Sequence, residues 1–315
     1  MKALITGIAG FAGSHLTDHL LSQNHEVSGI DIPGAPPDNL SHNLDRITLH
    51  EGDLLDKNRI RDILGDVRPD WLFHLAAQSA VGASWEAPAR TFEINLIAGV
   101  HLLDVCASLK NKMRIVLISS ADIYGGGSGE LTEDSPFAPK NPYAVSKLAL
   151  DLAAGQFGSS KDLDILRMRP MNHTGPRQAP GTVIPDFVKQ IAEIEAGKRE
   201  PVLRTGNLEA QRDFSDVRDI VRAYALAAER GLSGEAYLLC SGRARKIQDV
   251  LDHLLSAAKV SIDVEQDSQK MRPSESNASR ASHSKFTEAT GWRPEIAFEQ
   301  TLQDTLDFWR ERTGD

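Results

Sequence analysis

The chain has 315 residues, 41% of them hydrophobic and 25% charged, and a formal net charge of −9. At this length roughly 75% of the unfolded surface can be buried, so a full core forms without disulfide or metal staples, and disordered or collagen-like architectures are excluded. The acidic balance argues against a nucleic-acid surface, so an anionic ligand has to be met by local basic groups or by backbone N–H groups. A length prior of about 150 residues per domain gives two lobes. No apolar run approaches the roughly 18 residues of a membrane helix, so no membrane association is expected. The stretch Met1 to Leu21 is apolar enough to imitate a signal peptide, but Gly7, Gly10, Gly13, His15, Asp18 and His19 interrupt it, and export is not expected. Cys106 and Cys240 are the only cysteines and form no CxxC, which gives no support to a disulfide framework or a zinc site; a reducing cytoplasm is the simplest home.

In chain order, Lys2 to Thr6 reads as a strand, Gly7 to Gly13 as a tight turn, and Ser14 to Ser22 as a helix with Leu16, Leu20 and Leu21 at helical spacing. A second strand runs from Glu26 to Ile30 and ends at Asp31. Further apolar runs at Ile47 to Leu49, Trp71 to Leu75, Arg114 to Ile118 and Asp164 to Met168 predict strands, with helices over Pro88 to Leu109 and Pro142 to Phe157. This alternation predicts an α/β fold, a doubly wound parallel sheet with right-handed crossovers. After Arg169-Pro170 the texture turns Pro- and Gly-rich with isolated helices, and Ser274 to Ser284 reads as a polar surface loop.

Gly7, Gly10 and Gly13, with Phe11 and Ala12 between the last two, lie directly between the first strand and the first helix. Glycines there let a pyrophosphate approach the helix N-terminus, where unpaired N–H groups favour an anion. Asp31 follows Gly13 by 18 residues and can accept hydrogen bonds from adenosine ribose hydroxyls. Its charge repels a 2′-phosphate, and no Arg or Lys occurs between Asp31 and Arg46, so NAD(H) is favoured while NADP(H) stays open. Asp53-Leu54 after the third strand would lie near the adenine, and Ala76-Ala77 after the fourth would leave room for the cofactor. Tyr143 and Lys147 fall four apart on a predicted helix and share a face. A nearby ammonium would lower the phenol from its ordinary pKa of about 10 toward the range of an acid/base. Ser120, at the end of the preceding strand, could hydrogen-bond a substrate oxygen.

The glycine turn, His74-Leu-Ala-Ala77, Asn95, Ser119-Ser120, Tyr143-x-x-x-Lys147 and Arg169-Pro-Met-Asn-His-Thr-Gly-Pro176 together resemble the extended short-chain dehydrogenases/reductases, the sugar-nucleotide epimerases, dehydratases and reductases, over essentially the whole chain. The resemblance implies a Rossmann lobe over 1–167 with about 213–239 returning to it, and a smaller α/β sugar-nucleotide lobe from 168–212 and 240–315. It makes Ser120, Tyr143 and Lys147 catalytic, adds Lys147 as a holder of the nicotinamide ribose, and puts Asn95 on the helix lining the cofactor cleft. It also implies a homodimer through a four-helix bundle built from Ala89 to Leu109 and Pro142 to Gly155.

Asn172 to Arg177, Gly206 to Asp216 and Arg272-Pro-Ser-Glu275 resemble the GDP-mannose branch of that family, with Arg212 to Asp219 and Cys240-Ser-Gly242 closer to its reductases. The resemblance implies hydride transfer from NAD(P)H to the C4 ketone of GDP-4-keto-6-deoxy-D-mannose, giving GDP-D-rhamnose or its C4 epimer GDP-6-deoxy-D-talose. Arg212 and Arg272 present forks suited to a diphosphate. Glu275 could accept from ribose hydroxyls, Asn172 could bond the diphosphate or sugar, and Asp186, with Val183 beside it, falls where the family contacts guanine. For each of these arginines the alternative is a solvated surface charge, and more so for Arg177. Dehydratases of the branch carry a Glu two residues after the catalytic Ser or Thr; here Asp122 stands there, which keeps a GDP-mannose 4,6-dehydratase open, with a C4 epimerase third.

Overall fold

The computed structural model describes residues 1–109, 112–126, 129–267 and 280–314. From the N-terminus run β1 (Lys2–Thr6), β2 (Glu26–Asp31), β3 (Ile47–Glu51), β4 (Trp71–His74), β5 (Arg114–Ile118), the two-residue β6 (Glu130–Leu131) and β7 (Asp164–Pro170). The second half carries β8 (Asn172–Thr174), β9 (Val202–Thr205), β10 (Gln211–Asp216), β11 (Ala236–Leu239), β12 (Ala244–Lys246), β13 (Asp263–Gln266) and β14 (Arg280–Ala281). The helices are α1 (Phe11–Ser22), α2 (Lys57–Val67), α3 (Val81–Glu86), α4 (Pro88–Phe92), α5 (Ala98–Leu109), α6 (Pro142–Lys161), α7 (Val183–Glu195), α8 (Val217–Arg230), α9 (Ile247–Ser256), α10 (Ser284–Thr290) and α11 (Phe298–Gly314).

Seven strands form a parallel sheet in the order β3-β2-β1-β4-β5-β7-β11. Alternation along the strands divides its two faces. Phe73, Val116 and Met168 pack with Leu16 and Leu20 of α1, Val221 and Tyr224 of α8 and Phe286 of α10. Leu72, Ile115 and Leu117 pack with Ile63 of α2, Leu102 and Leu103 of α5 and Leu150 of α6. The strand order reverses between β1 and β4, and in such sheets the crevice beyond the carboxyl ends at the reversal is where ligands bind. A smaller lobe sets β12-β10-β8 and the pair β13-β9 against α7, α9 and α11, around Phe187, Ile191, Leu251, Phe298 and Leu302.

The expected boundaries shift in two places. Strand β10 pairs with β8 and β12 in the smaller lobe, so the chain returns to the large sheet at Asp216, whose side chain caps α8, and not at 213. The segment 284–292, expected in the second lobe, packs under the large sheet through Phe286 and Trp292. Of the stretch read as a loop, Arg280–Ala281 pairs with Glu130–Leu131 and Ser284 opens α10.

Contrary to the expectation that no segment approaches a membrane span, the helix over 88–109 is long and apolar enough to pass as one. Its Leu102, Leu103, Val105 and Cys106 nevertheless enter the core, as in a core helix of a folded domain. A π turn, Glu93–Ile97, joins α4 to α5.

One buried ion pair ties α6 to the sheet. Asp151 on α6 is fully buried and accepts from Arg169 Nε at 2.9 Å and Nη2 at 2.8 Å, while Arg169 Nη1 donates to Tyr124 Oη at 2.7 Å. Removing one partner leaves an uncompensated buried charge. Asp151→Ala is expected to lower unfolding free energy by about 3–5 kcal/mol, read by urea denaturation; a loss below about 1 kcal/mol, the scale of an exposed pair, would show the pair to be dispensable.

Candidate active site

A cleft of about 1650 Å³ opens at the reversal point and continues between the two lobes. Single-ligand pockets run to roughly 1,000 Å³, so this one has room for two ligands side by side. Its wall includes Gly7, Gly10, Phe11, Ala12, Gly13, Asp31, Asp53, Leu54, Ala76 and Ala77 at one end, and Asn172, Val183, Asp186 and Arg212 at the other. Ser120, Asp122, Tyr143 and Lys147 lie on the same wall.

The dinucleotide arm is shaped by backbone proximity. Gly7 has φ of +71°, and a Cβ there would fall 2.9 Å from Ala76 Cα; a Cβ on Gly13 would fall 2.3 Å from the Gly7 carbonyl oxygen. Only glycine lets β1, α1 and the end of β4 approach this closely. Gly10 caps α1 without a side chain, and no acidic residue occupies the first turn, so the helix N-terminus faces the cleft ready for a phosphate. Asp31 Oδ2 accepts from Ala9 N and Oδ1 from Ile32 N, each at 2.9 Å, which fixes the carboxylate at the cleft edge. Phe11 stacks on His173 with centroids 5.9 Å apart. The cradle fits a dinucleotide: Gly7, Gly10 and Gly13 would admit the pyrophosphate, and Asp31 the adenosine ribose.

Asn95 departs from expectation. It sits in the π turn, buried and off the cleft wall, and its amide bridges Gln78 N at 2.7 Å, Gln78 O at 3.0 Å and Ser146 Oγ at 3.0 Å. It braces the loop after β4 against α6 and is not among the residues that line the cleft. His74 braces the same junction: its Nδ1 pairs with Thr6 Oγ1, which accepts from Ala76 N. Burial first, then Lys147, pulls the His74 pKa down to about 3, so the ring is neutral.

At the reactive end Asn141 caps α6 through Ala144 N, and Pro142 occupies the first turn, which fixes where Tyr143 and Lys147 project. Tyr143 shares a hydrogen bond with Ser120, and Ser120 Oγ accepts from Asp122 N at 3.2 Å. Lys147 Nζ donates to the Ile118 carbonyl. The electrostatics correct the expectation that the ammonium lowers the phenol. Burial, and after it the Asp122 carboxylate, push Tyr143 above the ordinary tyrosine range, and only the Ser120 hydrogen bond pulls the other way. Burial lowers Lys147 to about 8, with Asp151 offsetting part of the shift.

In the second arm Asp186 is not a free carboxylate: Oδ1 accepts from Gly181 N at 2.8 Å and closes the turn onto α7. Arg212 Nη1 donates to the Gln211 carbonyl at 2.7 Å while its residue lines the cleft. Arg272 and Glu275 lie outside the described residues. Arg177 is no surface charge. It is largely buried, lines the cleft, and donates to Asp18, to His15 Nδ1 at 2.7 Å and to the Asn39 carbonyl at 3.2 Å. Burial and then Arg177 lower His15 to about 4, which keeps the ring neutral. Ser119 and Tyr224 also reach the cleft wall, and Arg204, Thr205 and Asn207 join its second arm. No group of His, Cys, Asp or Glu suited to a metal ion occurs among the described residues.

The family model described as GDP-mannose 4,6 dehydratase matches residues 4–305. The GDP-6-deoxy-D-mannose reductase of Pseudomonas aeruginosa is 33% identical over 99% of this chain and 98% of its own length. A solved structure of RMD from Pseudomonas aeruginosa complexed with NADPH superposes with a TM-score of 0.87 at 33% identity, covering 99% of both chains. The UDP-glucose 4-epimerase of Thermus thermophilus, complexed with NAD, gives a TM-score of 0.85 at 30% identity, covering 98% of this chain and 99% of its own. A match spanning nearly the whole length, on a sheet and glycine turn of the same design, means that this chain belongs to the GDP-mannose 4,6-dehydratase family of short-chain dehydrogenases/reductases and is an NAD(P)-dependent enzyme.

Proposed function

We propose that the protein reduces the C4 ketone of GDP-4-keto-6-deoxy-D-mannose, releasing GDP-D-rhamnose or, if the opposite ketone face is presented, GDP-6-deoxy-D-talose. The observation that carries this reading is the set of groups on the cleft wall: Tyr143, a phenol hydrogen-bonded to Ser120 and one helical turn from Lys147, stands where it can give a proton to the oxygen of a ketone. The 33% identity to a GDP-6-deoxy-D-mannose reductase supports the substrate. Asp31 at the adenosine end, with no Arg or Lys before Arg46, supports NADH, while NADPH in the RMD structure keeps that cofactor open.

Held by the glycine turn and Asp31, a reduced dinucleotide would supply the hydride. Tyr143 delivers its proton to the sugar O4, and Ser120 hydrogen-bonds the same oxygen. Lys147, one helical turn from Tyr143 on α6, holds a ribose hydroxyl. In the second arm Arg212 meets the diphosphate and Asn172 the diphosphate or sugar, with Val183 beside the nucleotide.

We also place the enzyme in the cytoplasm, where its two free, buried thiols stay reduced, and propose a homodimer. Ile97, Val145 and Leu152 are exposed apolar residues on the helices assigned to a four-helix bundle, and a second copy would cover them.

A specific observation keeps the 4,6-dehydratase as a second reading: Asp122 lines the cleft and its charge acts on Tyr143, where a C5-proton base would stand. Purified protein incubated with GDP-mannose and NAD(P)⁺, without reductant, is expected to form no 4-keto sugar, whereas GDP-4-keto-6-deoxy-D-mannose with NADH or NADPH is reduced. A 4-keto product from GDP-mannose alone would replace the reductase reading. Tyr143→Phe is expected to lower turnover by about 10²–10⁴-fold with dinucleotide affinity unchanged; equal turnover in the variant would remove Tyr143 from the chemistry.

The sign of the pH dependence follows from Lys147. Below about 8 it is charged and would hold the ribose hydroxyl as an ammonium; above it that charge is lost, while Tyr143 itself remains protonated. For reduction, kcat/KM, which reports the free enzyme, is expected to fall as pH rises through about 8, well below the ordinary lysine value of about 10.4. A profile level to the ordinary lysine range would exclude that role.

A further inference from the structure

Two polar groups on residues of the cleft wall have no part in the chemistry derived above. Tyr224 Oη and Ser119 Oγ are both buried and make no hydrogen bond to any described residue. Both residues line the cleft. Ser119 adjoins Ser120 in sequence. The Tyr224 phenol, raised by burial, is raised further by Tyr143, which puts it within electrostatic reach of the reactive end. Around Tyr224 the packing is aliphatic, with Ile118, Val116 and Met168 in the same core cluster, and offers it no polar partner. The neighbouring functional groups are already engaged: Lys147 with the Ile118 carbonyl, and Ser120 with Tyr143 and Asp122 N.

A buried hydroxyl without a partner costs folding free energy, so two on residues of one cleft wall call for a ligand group that can satisfy both. We propose that the hydroxyls of Tyr224 and Ser119 form a binding pair for the carboxamide of the nicotinamide ring. A carboxamide offers an accepting oxygen and a donating NH₂ side by side, and each hydroxyl can act in either sense. The pair also answers a need of the reaction. A flat ring can lie either way up, and the carboxamide is its one polar substituent, so holding that group decides which face meets the sugar. Because both hydroxyls are dehydrated before the ligand arrives, little desolvation remains to oppose the bonds, and Tyr224, wedged in the core, loses little freedom on binding.

The test compares the whole dinucleotide with ADP-ribose, which keeps every part except the ring. Tyr224→Phe is expected to weaken NADH and NADPH by about 3–10-fold, the worth of one neutral hydrogen bond, and to leave ADP-ribose affinity unchanged. Ser119→Ala is expected to act in the same direction. Dinucleotide affinity equal to the parent's in both variants, or an equal loss for ADP-ribose, overturns the proposal. Folding is separated by thermal melting: without ligand Tyr224→Phe should melt at or above the parent, since it removes an unsatisfied buried group, while the rise in Tm given by NADH should shrink. A lower unliganded Tm with the parent's full NADH-induced rise would show the hydroxyl to be structural and overturn the assignment. The proposal rests on dinucleotide binding at this cleft, which the parent titration checks on its own; a parent that binds neither ligand removes both, whereas a failure confined to the variants' pattern removes only the pair.

Discussion

The site depends on how closely three pieces of backbone meet where the sheet reverses. The end of β1, the first turn of α1 and the end of β4 converge so tightly that a single methyl group on Gly13 would overlap the Gly7 carbonyl, and one on Gly7 would press on Ala76. Parallel strands feeding right-handed crossovers put α1 and α5 on opposite faces, and the gap between their ends is the crevice. A helix N-terminus with neither a side-chain cap nor an acidic first turn leaves that crevice suited to a phosphate. Thr6, His74 and Asn95 then act on the same junction from below: none faces the cleft as a ligand group, yet together they fix Ala76 and Gln78, the residues that set its width.

Burial governs the chemistry more than the Tyr-Lys spacing does. Spacing on a helix puts Tyr143 and Lys147 on one face, and an isolated reading of that face has the cation lowering the phenol. In the folded chain both groups are stripped of water, and desolvation penalises whichever form is charged: the phenol rises and the ammonium falls. Each moves toward neutrality. The buried Asp151 limits the fall of Lys147, so the ion pair that anchors α6 to β7 also holds charge on the lysine one helical turn away.

What was legible in the sequence was local. The strands of the large sheet are short apolar runs bounded by turn residues, and the glycine turn announces itself by position between a strand and a helix. Features that depend on partners far along the chain were not legible. Arg177 meets Asp18 across 159 residues, so nothing near it marks it as buried. Asn95 looked like a cleft residue because its helix borders the cleft, but a π turn rotates its side chain inward to the Gln78 backbone. Asp186 reads as a free carboxylate until the turn at Gly181 folds back onto it. Tyr224 sits in an apolar helical pattern that reads as core, which it is; that the residue also lines the cleft follows only from the packing of α8 on β5 and β7. The return of the chain to the large sheet lies later than expected because β10, with Phe214 its one apolar residue, carries no pattern that assigns it to either sheet, and pairing with β8 and β12 decides between them.

Asp122 is the residue on which the two functional readings divide, and its electrostatic effect bears on both. A carboxylate beside a buried phenol raises the phenol further, since a phenolate there would face a like charge. For a step that takes a proton from the substrate, Tyr143 would have to begin as the phenolate, and Asp122 works against that state. For a step that gives a proton to an emerging alkoxide, Tyr143 has to begin as the phenol, and Asp122 keeps it so. The dehydration reading asks the carboxylate itself to reach the C5 proton, and an aspartate stops one methylene short of the glutamate that dehydratases of the branch carry there, a displacement that positional catalysis tolerates poorly. Reduction asks nothing of its reach.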